Sequence, residues 1–74
     1  MPKLPPIKAI NLVKILERQG FRRIRQKGSH LILKHVDGRE TVIPMHRGEE
    51  IGRGLLRKIL REINLTVNGY KKLK

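Results

Sequence analysis

A Gly28-Ser29-His30 triplet lies inside a run of cations. Arg18, Arg22, Arg23, Arg25, Lys27 and Lys34 all occur between Arg18 and His35, with no Asp or Glu among them. Imidazole titrates near neutral pH, so a histidine here can take a proton from a ribose 2′-hydroxyl or return one to a leaving oxygen. RNA carries its own nucleophile in that hydroxyl. One positioned base, with cations to stabilise the charge on the pentacoordinate phosphorus, therefore suffices to break a phosphodiester without metal. The guanidinium of Arg25, the ammonium of Lys27 and the backbone amides of Gly28 and Ser29 suit phosphate oxygens. Periodicity alone favours a plainer alternative: a solvated basic strand, with His30 bonded to backbone or facing solvent.

The remaining chemistry-bearing residues are fewer. His46, in Pro44-Met45-His46, can support His30, contact phosphate or cap the following turn, with the structural role preferred. His35 precedes the Asp37-Gly38 pair and reads as an exposed strand end. Three histidines without cysteine or a carboxylate cluster have no metal-ligand spacing, so neither a metal nor a cofactor is expected. The absence of cysteine also excludes disulfides, thiolate zinc sites and cysteine nucleophiles. Glu49 and Glu50 are adjacent and so do not share a face, which makes a poor acid/base dyad. Gly52-Arg53-Gly54 is too short for a P-loop or a dinucleotide fingerprint.

These residues belong to a chain of 74 residues with a net charge of +12, a pI near 11.3 and 3% aromatic residues. That length fits one domain, residues 1–74, and 38% apolar content supplies a small core. Such a charge attracts polyanions. The shortage of aromatic faces argues against binding by base stacking. No apolar run approaches a membrane span, and the N-terminus lacks the apolar core of a signal peptide, so a cytoplasmic location is expected.

The elements that must position the triplet follow from spacing. Residues 1–6, with Pro5-Pro6, make an extended lead-in. Ala9, Leu12, Val13 and Leu16 fall at i, i+3, i+4 and i+7, which predicts a helix over about 7–19 ended by Gly20. Residues 21–27, 30–35 and 40–44 suit three strands, with bends at Gly28-Ser29 and Asp37-Gly38. Leu56, Ile59, Leu60 and Ile63 predict a second helix from Gly52 or Gly54 to Asn64, with Arg53, Arg57 and Arg61 as a basic ridge on another face. Thr66 can cap a short turn around Tyr70, but Gly69 weakens it, so residues 66–74 read as a weakly structured basic tail. The expected fold is α+β, in the order α-β-β-β-α, with two helices on one side of a three-stranded antiparallel sheet.

The motifs resemble a family. Leu12-Val13-Lys14-Ile15-Leu16-Glu17 with Gly20-Phe21, then Arg25-Gln26-Lys27-Gly28-Ser29-His30, Pro44-Met45-His46 and Gly54-Leu55-Leu56-Arg57-Lys58-Ile59-Leu60, are similar to the HicA (YcfA-type) toxins in order and spacing. The resemblance implies a double-stranded-RNA-binding-domain-like α-β-β-β-α fold. It implies an mRNA interferase of a type II toxin–antitoxin module, with His30 as the catalytic residue and a HicB antitoxin that blocks the site. It implies contact with operator DNA only through the antitoxin complex. One departure is visible: the family usually has Gly-Thr opening the second helix, and this chain has Gly54-Leu55, so no role is carried to Leu55.

The expectation is thus a metal-independent endoribonuclease. Arg25, Lys27, Gly28 and Ser29, together with Arg53 and Arg57, would hold the RNA backbone while His30 acts as general acid or base. The alternative is a non-catalytic RNA-binding module, such as a small ribosome-associated protein. A basic face that chiefly meets an acidic antitoxin is compatible with the first reading.

Overall fold

The computed structural model describes residues 4–46 and 48–74. Its order is β1 (Ile7–Lys8), α1 (Ala9–Arg18), β2 (Arg22–Lys27), β3 (His30–Lys34), β4 (Glu40–Pro44), β5 (Glu50–Ile51), α2 (Arg53–Glu62) and α3 (Val67–Leu73). The antiparallel sheet β2-β3-β4 carries the expected meander. The fold is α+β and double-stranded-RNA-binding-domain-like, with three helices where two were expected. Leu12, Val13 and Leu16 of α1 and Leu56, Ile59 and Leu60 of α2 pack with Leu31, Leu33 and Ile43 of the sheet into one core.

Two differences arise at the ends of α1 and α2. The first helix begins at Ala9 because Ile7 and Lys8 stay extended and pair with Ile51 and Glu50, which buries Ile7 and Ile51 together. The second begins at Arg53, after an extended Gly52. Both helices close on the same left-handed motif. Phe21 N–H donates to Leu16 O and Gly20 N–H to Glu17 O, while Leu65 N–H donates to Leu60 O and Asn64 N–H to Arg61 O. Gly20 has φ +99° and Asn64 has φ 58°.

The tail expected over 66–74 is instead a helix from Val67. Thr66 Oγ1 accepts from Gly69 N–H at 2.9 Å, and Tyr70 is fully buried against the core. Burial of that ring outweighs the helix propensity lost at Gly69. The lead-in also joins the core, because Leu4 is buried; Met1–Lys3 lie outside the described residues.

His35 differs most from expectation. It is half-buried, with its ring edge-on to Phe21 at 5.1 Å between centroids. Its Nδ1 lies 3.1 Å from both the Asp37 backbone nitrogen and Asp37 Oδ1, and its Nε2 lies 3.1 Å from Gln19 O. Arg39 also lies over the Phe21 ring, 5.1 Å from its centroid, and donates to Ile63 O at 2.7 Å. The β3–β4 hairpin is thereby tied to the C-termini of both α1 and α2. The Arg39 backbone N–H, then its guanidinium, hold the Asp37 carboxyl below its usual range.

A β-carbon on Gly20 would stand 2.8 Å from His35 Nε2, on a backbone that L-residues rarely adopt. Gly20→Ala is expected to destabilise the fold by at least about 1 kcal/mol, read as a lower melting temperature. The Tyr70 hydroxyl has no hydrogen-bond partner among the described residues, and burial raises its pKa above the usual 10.0. The unfolded chain therefore ionises first, and Tyr70 contributes to a loss of stability as pH rises through that range. Tyr70→Phe is expected to match or exceed the parent's melting temperature at pH 7, with the advantage widening in alkaline buffer.

Candidate nucleic-acid interface and catalytic site

The three-stranded sheet is covered on one face only. Residues directly opposite in an antiparallel pair share a face. His30 stands opposite Lys27 on one side and Pro44 on the other, Ile32 opposite Arg25 and Val42, and Lys34 opposite Arg22 and Glu40. Leu31 and Leu33 alternate with these and are buried, so the face carrying His30 is the one turned away from the helices. That open face holds Arg22, Arg25, Lys27, His30 and Lys34, all exposed, around Ile32 and Val42. Glu40 is its one acid. Among the described residues, no carboxylate lies within ion-pair distance of Arg22, Arg25, Lys27 or Lys34.

A β-bulge decides which cations collect there. The register shifts between Arg23 and Arg25, so Ile24 is the extra residue of β2. Had the pairing of Lys27 with His30 continued unbroken, Arg23 would stand opposite Lys34 and Ile24 opposite Leu33. The bulge instead puts Arg22 opposite Lys34 and Arg23 opposite Leu33. Arg23 thereby leaves the open face and meets Glu17 of α1 at 3.3 Å. Six residues of near-uniform polarity give no sequence signal for the bulge.

The turn that starts β3 is two residues long. Gly28 takes φ +62°, and Gln26 Nε2 donates to Gly28 O at 3.0 Å. Ser29 O accepts from Met45 N–H, which fastens the turn to the Pro44-Met45-His46 segment. Neither the Gly28 nor the Ser29 N–H donates to a backbone carbonyl among the described residues. The His30 side chain is exposed, and no hydrogen bond joins it to the other described residues.

The other expected site residues are divided. Pro44 pairs with His30, so His46 lies at the same end of the sheet, exposed and in a small groove with Glu49, Ile51 and Leu55. Its carbonyl accepts from Glu49 N–H at 3.2 Å, which closes the local turn. Thr41 Oγ1 bonds Glu62 at 2.8 Å, so α2 runs antiparallel to β4 and brings its start, Arg53, to the His30 end. Arg57 does not join this set. It lines a groove with Arg61, Asn64 and Thr66, because α2 turns Leu56, Ile59 and Leu60 toward the sheet and its arginine ridge away from it. Arg57 thus lies on a different surface from Arg25 and Lys27. Arg22 and Lys34 also share the His30 face. For Lys34, the signal was available in its even spacing from His30.

No group of three or more His, Asp and Glu residues placed to hold a metal ion occurs among the described residues. No helix among them is long and apolar enough to cross a membrane.

The described residues form a small basic α+β unit with a bare cationic sheet face and an exposed histidine at its edge. The family model described as the HicA toxin of bacterial toxin–antitoxin matches residues 11–65, and the chain belongs to that family of toxins. The match runs from α1 through α2 and takes in His30, the open sheet face and His46. Comparison with curated proteins gives no match.

The bulge makes a discriminating expectation. Arg23→Gln and Arg25→Gln remove the same charge from neighbouring positions. Arg25→Gln is expected to weaken binding of a labelled single-stranded RNA several-fold. Arg23→Gln is expected to leave that affinity within about twofold and to lower stability by at most about 1 kcal/mol.

Proposed function

We propose that this toxin is an endoribonuclease that cleaves mRNA in the cytoplasm and so stops translation, with His30 as its general acid or base. The observation that carries the reading is the placement of His30: exposed and unbonded, it stands between Lys27 and Pro44 on the face that gathers Arg22, Arg25 and Lys34. Family membership supports the toxin role and, with it, an antitoxin partner.

The chemistry follows from what that face presents. Arg25, Lys27 and the Gly28 and Ser29 amides hold a phosphate at the turn, beside the imidazole. As base, His30 takes the proton of the ribose 2′-hydroxyl. The oxygen attacks phosphorus, the bond to the 5′-oxygen breaks, and that oxygen takes a proton from water. One fragment carries a 2′,3′-cyclic phosphate and the other a 5′-hydroxyl. As acid, His30 instead protonates the leaving 5′-oxygen. The cations stabilise the extra negative charge of the five-coordinate intermediate. His46, at the same end of the sheet, serves as support, and Arg53 extends the backbone contacts at the start of α2.

The same face suits an inhibitor. A HicB-type antitoxin with acidic groups around an apolar patch would cover Ile32 and Val42, meet the surrounding cations and close off His30. Such capture is steered by charge and weakens with salt. Contact with operator DNA would then come through the antitoxin.

His30→Ala is expected to lower RNA cleavage by about 10²- to 10⁴-fold while leaving RNA binding within a few-fold. Cleavage by the parent is expected to persist in EDTA and to leave 2′,3′-cyclic phosphate ends. Equal cleavage by parent and His30→Ala would overturn the assignment. Protection of RNA by the parent, with no cleavage, would make the protein a binding module.

A further inference from the structure

A second basic surface lies on the helical side of the molecule. Asn11, Lys14, Ile15 and Arg18 recur along α1 at i, i+3, i+4 and i+7 and share one helix face. With Lys8 and Lys74 they line an open groove of about 470 Å³ whose one acidic side chain, Glu50, stands opposite Lys8 in the β1–β5 pair. Ile15 is buried and supplies an apolar floor, while Lys8, Lys14, Arg18 and Lys74 are exposed. Lys74 Nζ rests over the buried Tyr70 ring, 5.6 Å from its centroid, which holds the ammonium at the groove wall. Among the described residues, none of the four cations has an acid within ion-pair distance.

The chain leads from this groove to the edge strand of the open sheet face. Arg18 is the last residue of α1, and the left-handed turn at Gly20 leads directly to Arg22 at the start of β2. Glu17, the acid nearest in sequence to this junction, is already paired with Arg23. From Lys8 through Lys14, Arg18 and Arg22 to Arg25 and Lys27, cations follow α1 and then β2 to the edge of His30. An α-helix of this length runs about 15 Å and the strand about 20 Å. Each is long enough to meet more than one backbone phosphate of a nucleic-acid strand that crosses the β2 edge.

We propose that the groove between α1 and the end of α3 is a second phosphodiester-binding site, which holds the RNA backbone flanking the segment at His30. The proposal rests on the ribonuclease reading only in naming RNA as the polyanion that reaches His30. Spaced ammonium and guanidinium groups over an aliphatic floor, with no aromatic face in the lining, bind phosphates and stack no bases. The site therefore adds affinity without base specificity, and its contribution rises with RNA length and falls with salt.

The test uses the full chain and 2′-O-methylated single-stranded RNAs of about 4 to about 16 nucleotides, a range matched to single-strand sites. These lack the attacking hydroxyl, so the groove is read whether or not His30 cleaves. Lys14→Gln/Arg18→Gln is compared with Lys58→Gln/Lys72→Gln, which removes two charges from exposed positions outside both surfaces. The groove variant is expected to lose roughly tenfold in affinity for the longest RNA, to show a salt slope shallower by about 1 to 2, and to gain little affinity as the RNA lengthens. The control is expected to stay within about twofold of the parent. Equal losses in the two variants, or none in the groove variant, would overturn the proposal. Parallel melting curves establish that each variant is folded. Failure of His30→Ala to stop cleavage of ordinary RNA would overturn the mechanism at His30 and leave this comparison intact.

Discussion

The three-stranded sheet has two faces, and the chain has apolar side chains enough to cover one. Every buried aliphatic of β3 and β4 points toward α1 and α2, and the helices turn their apolar stripes to meet them. A domain of this length has little surface to bury, so it cannot add a second layer. The other face must therefore stay in water, and charged residues are the ones that stand there without loss of hydration. The bare cationic surface is a consequence of how the core is built.

Two local devices convert that surface into a site. The bulge at Ile24 keeps Arg22, Arg25 and Lys27 on the His30 face and sends Arg23 to Glu17. The Gly28-Ser29 turn leaves its amides free and is fastened through Ser29 O to the segment that carries His46. Behind the sheet, Phe21 touches both His35 and Arg39, and these two reach the last carbonyls of α1 and α2. The aromatic ring thus works as a keystone between the hairpin and both helices. A histidine that reads as exposed turns out to hold the frame, and the histidine at the turn stays free for chemistry.

Cation placement also separates two duties. The open face concentrates charge next to one imidazole, where positioning a phosphate matters most. The α1 groove spreads its charge along a helix, where length and ionic strength govern binding. On the proposed reading, the sheet face with its apolar centre is the surface an antitoxin would cover, and the α1 groove is a separate contact for the RNA backbone.

The sequence by itself determined the helices, because apolar spacing at i, i+3, i+4 and i+7 allows one buried stripe, and Gly20 marks where α1 ends. It determined the meander, through Gly28-Ser29 and Asp37-Gly38, and it marked His30 as the exceptional residue in an acid-free basic run. It also carried the family in four separated motifs. It left the C-terminal helix unread, since the burial of Tyr70 that offsets Gly69 is a contact with distant residues. The β1–β5 pairing was hidden for the same reason, because Ile7 looks helical until Ile51 lies beside it. Which arginines share a face was decided by tertiary structure alone. A one-residue register shift in β2 put Arg22 in place of Arg23 on the His30 face, and the side on which α2 covers the sheet turned Arg57 away. Facing is a relation between strands and helices, and periodicity within one segment carries no information about its neighbour.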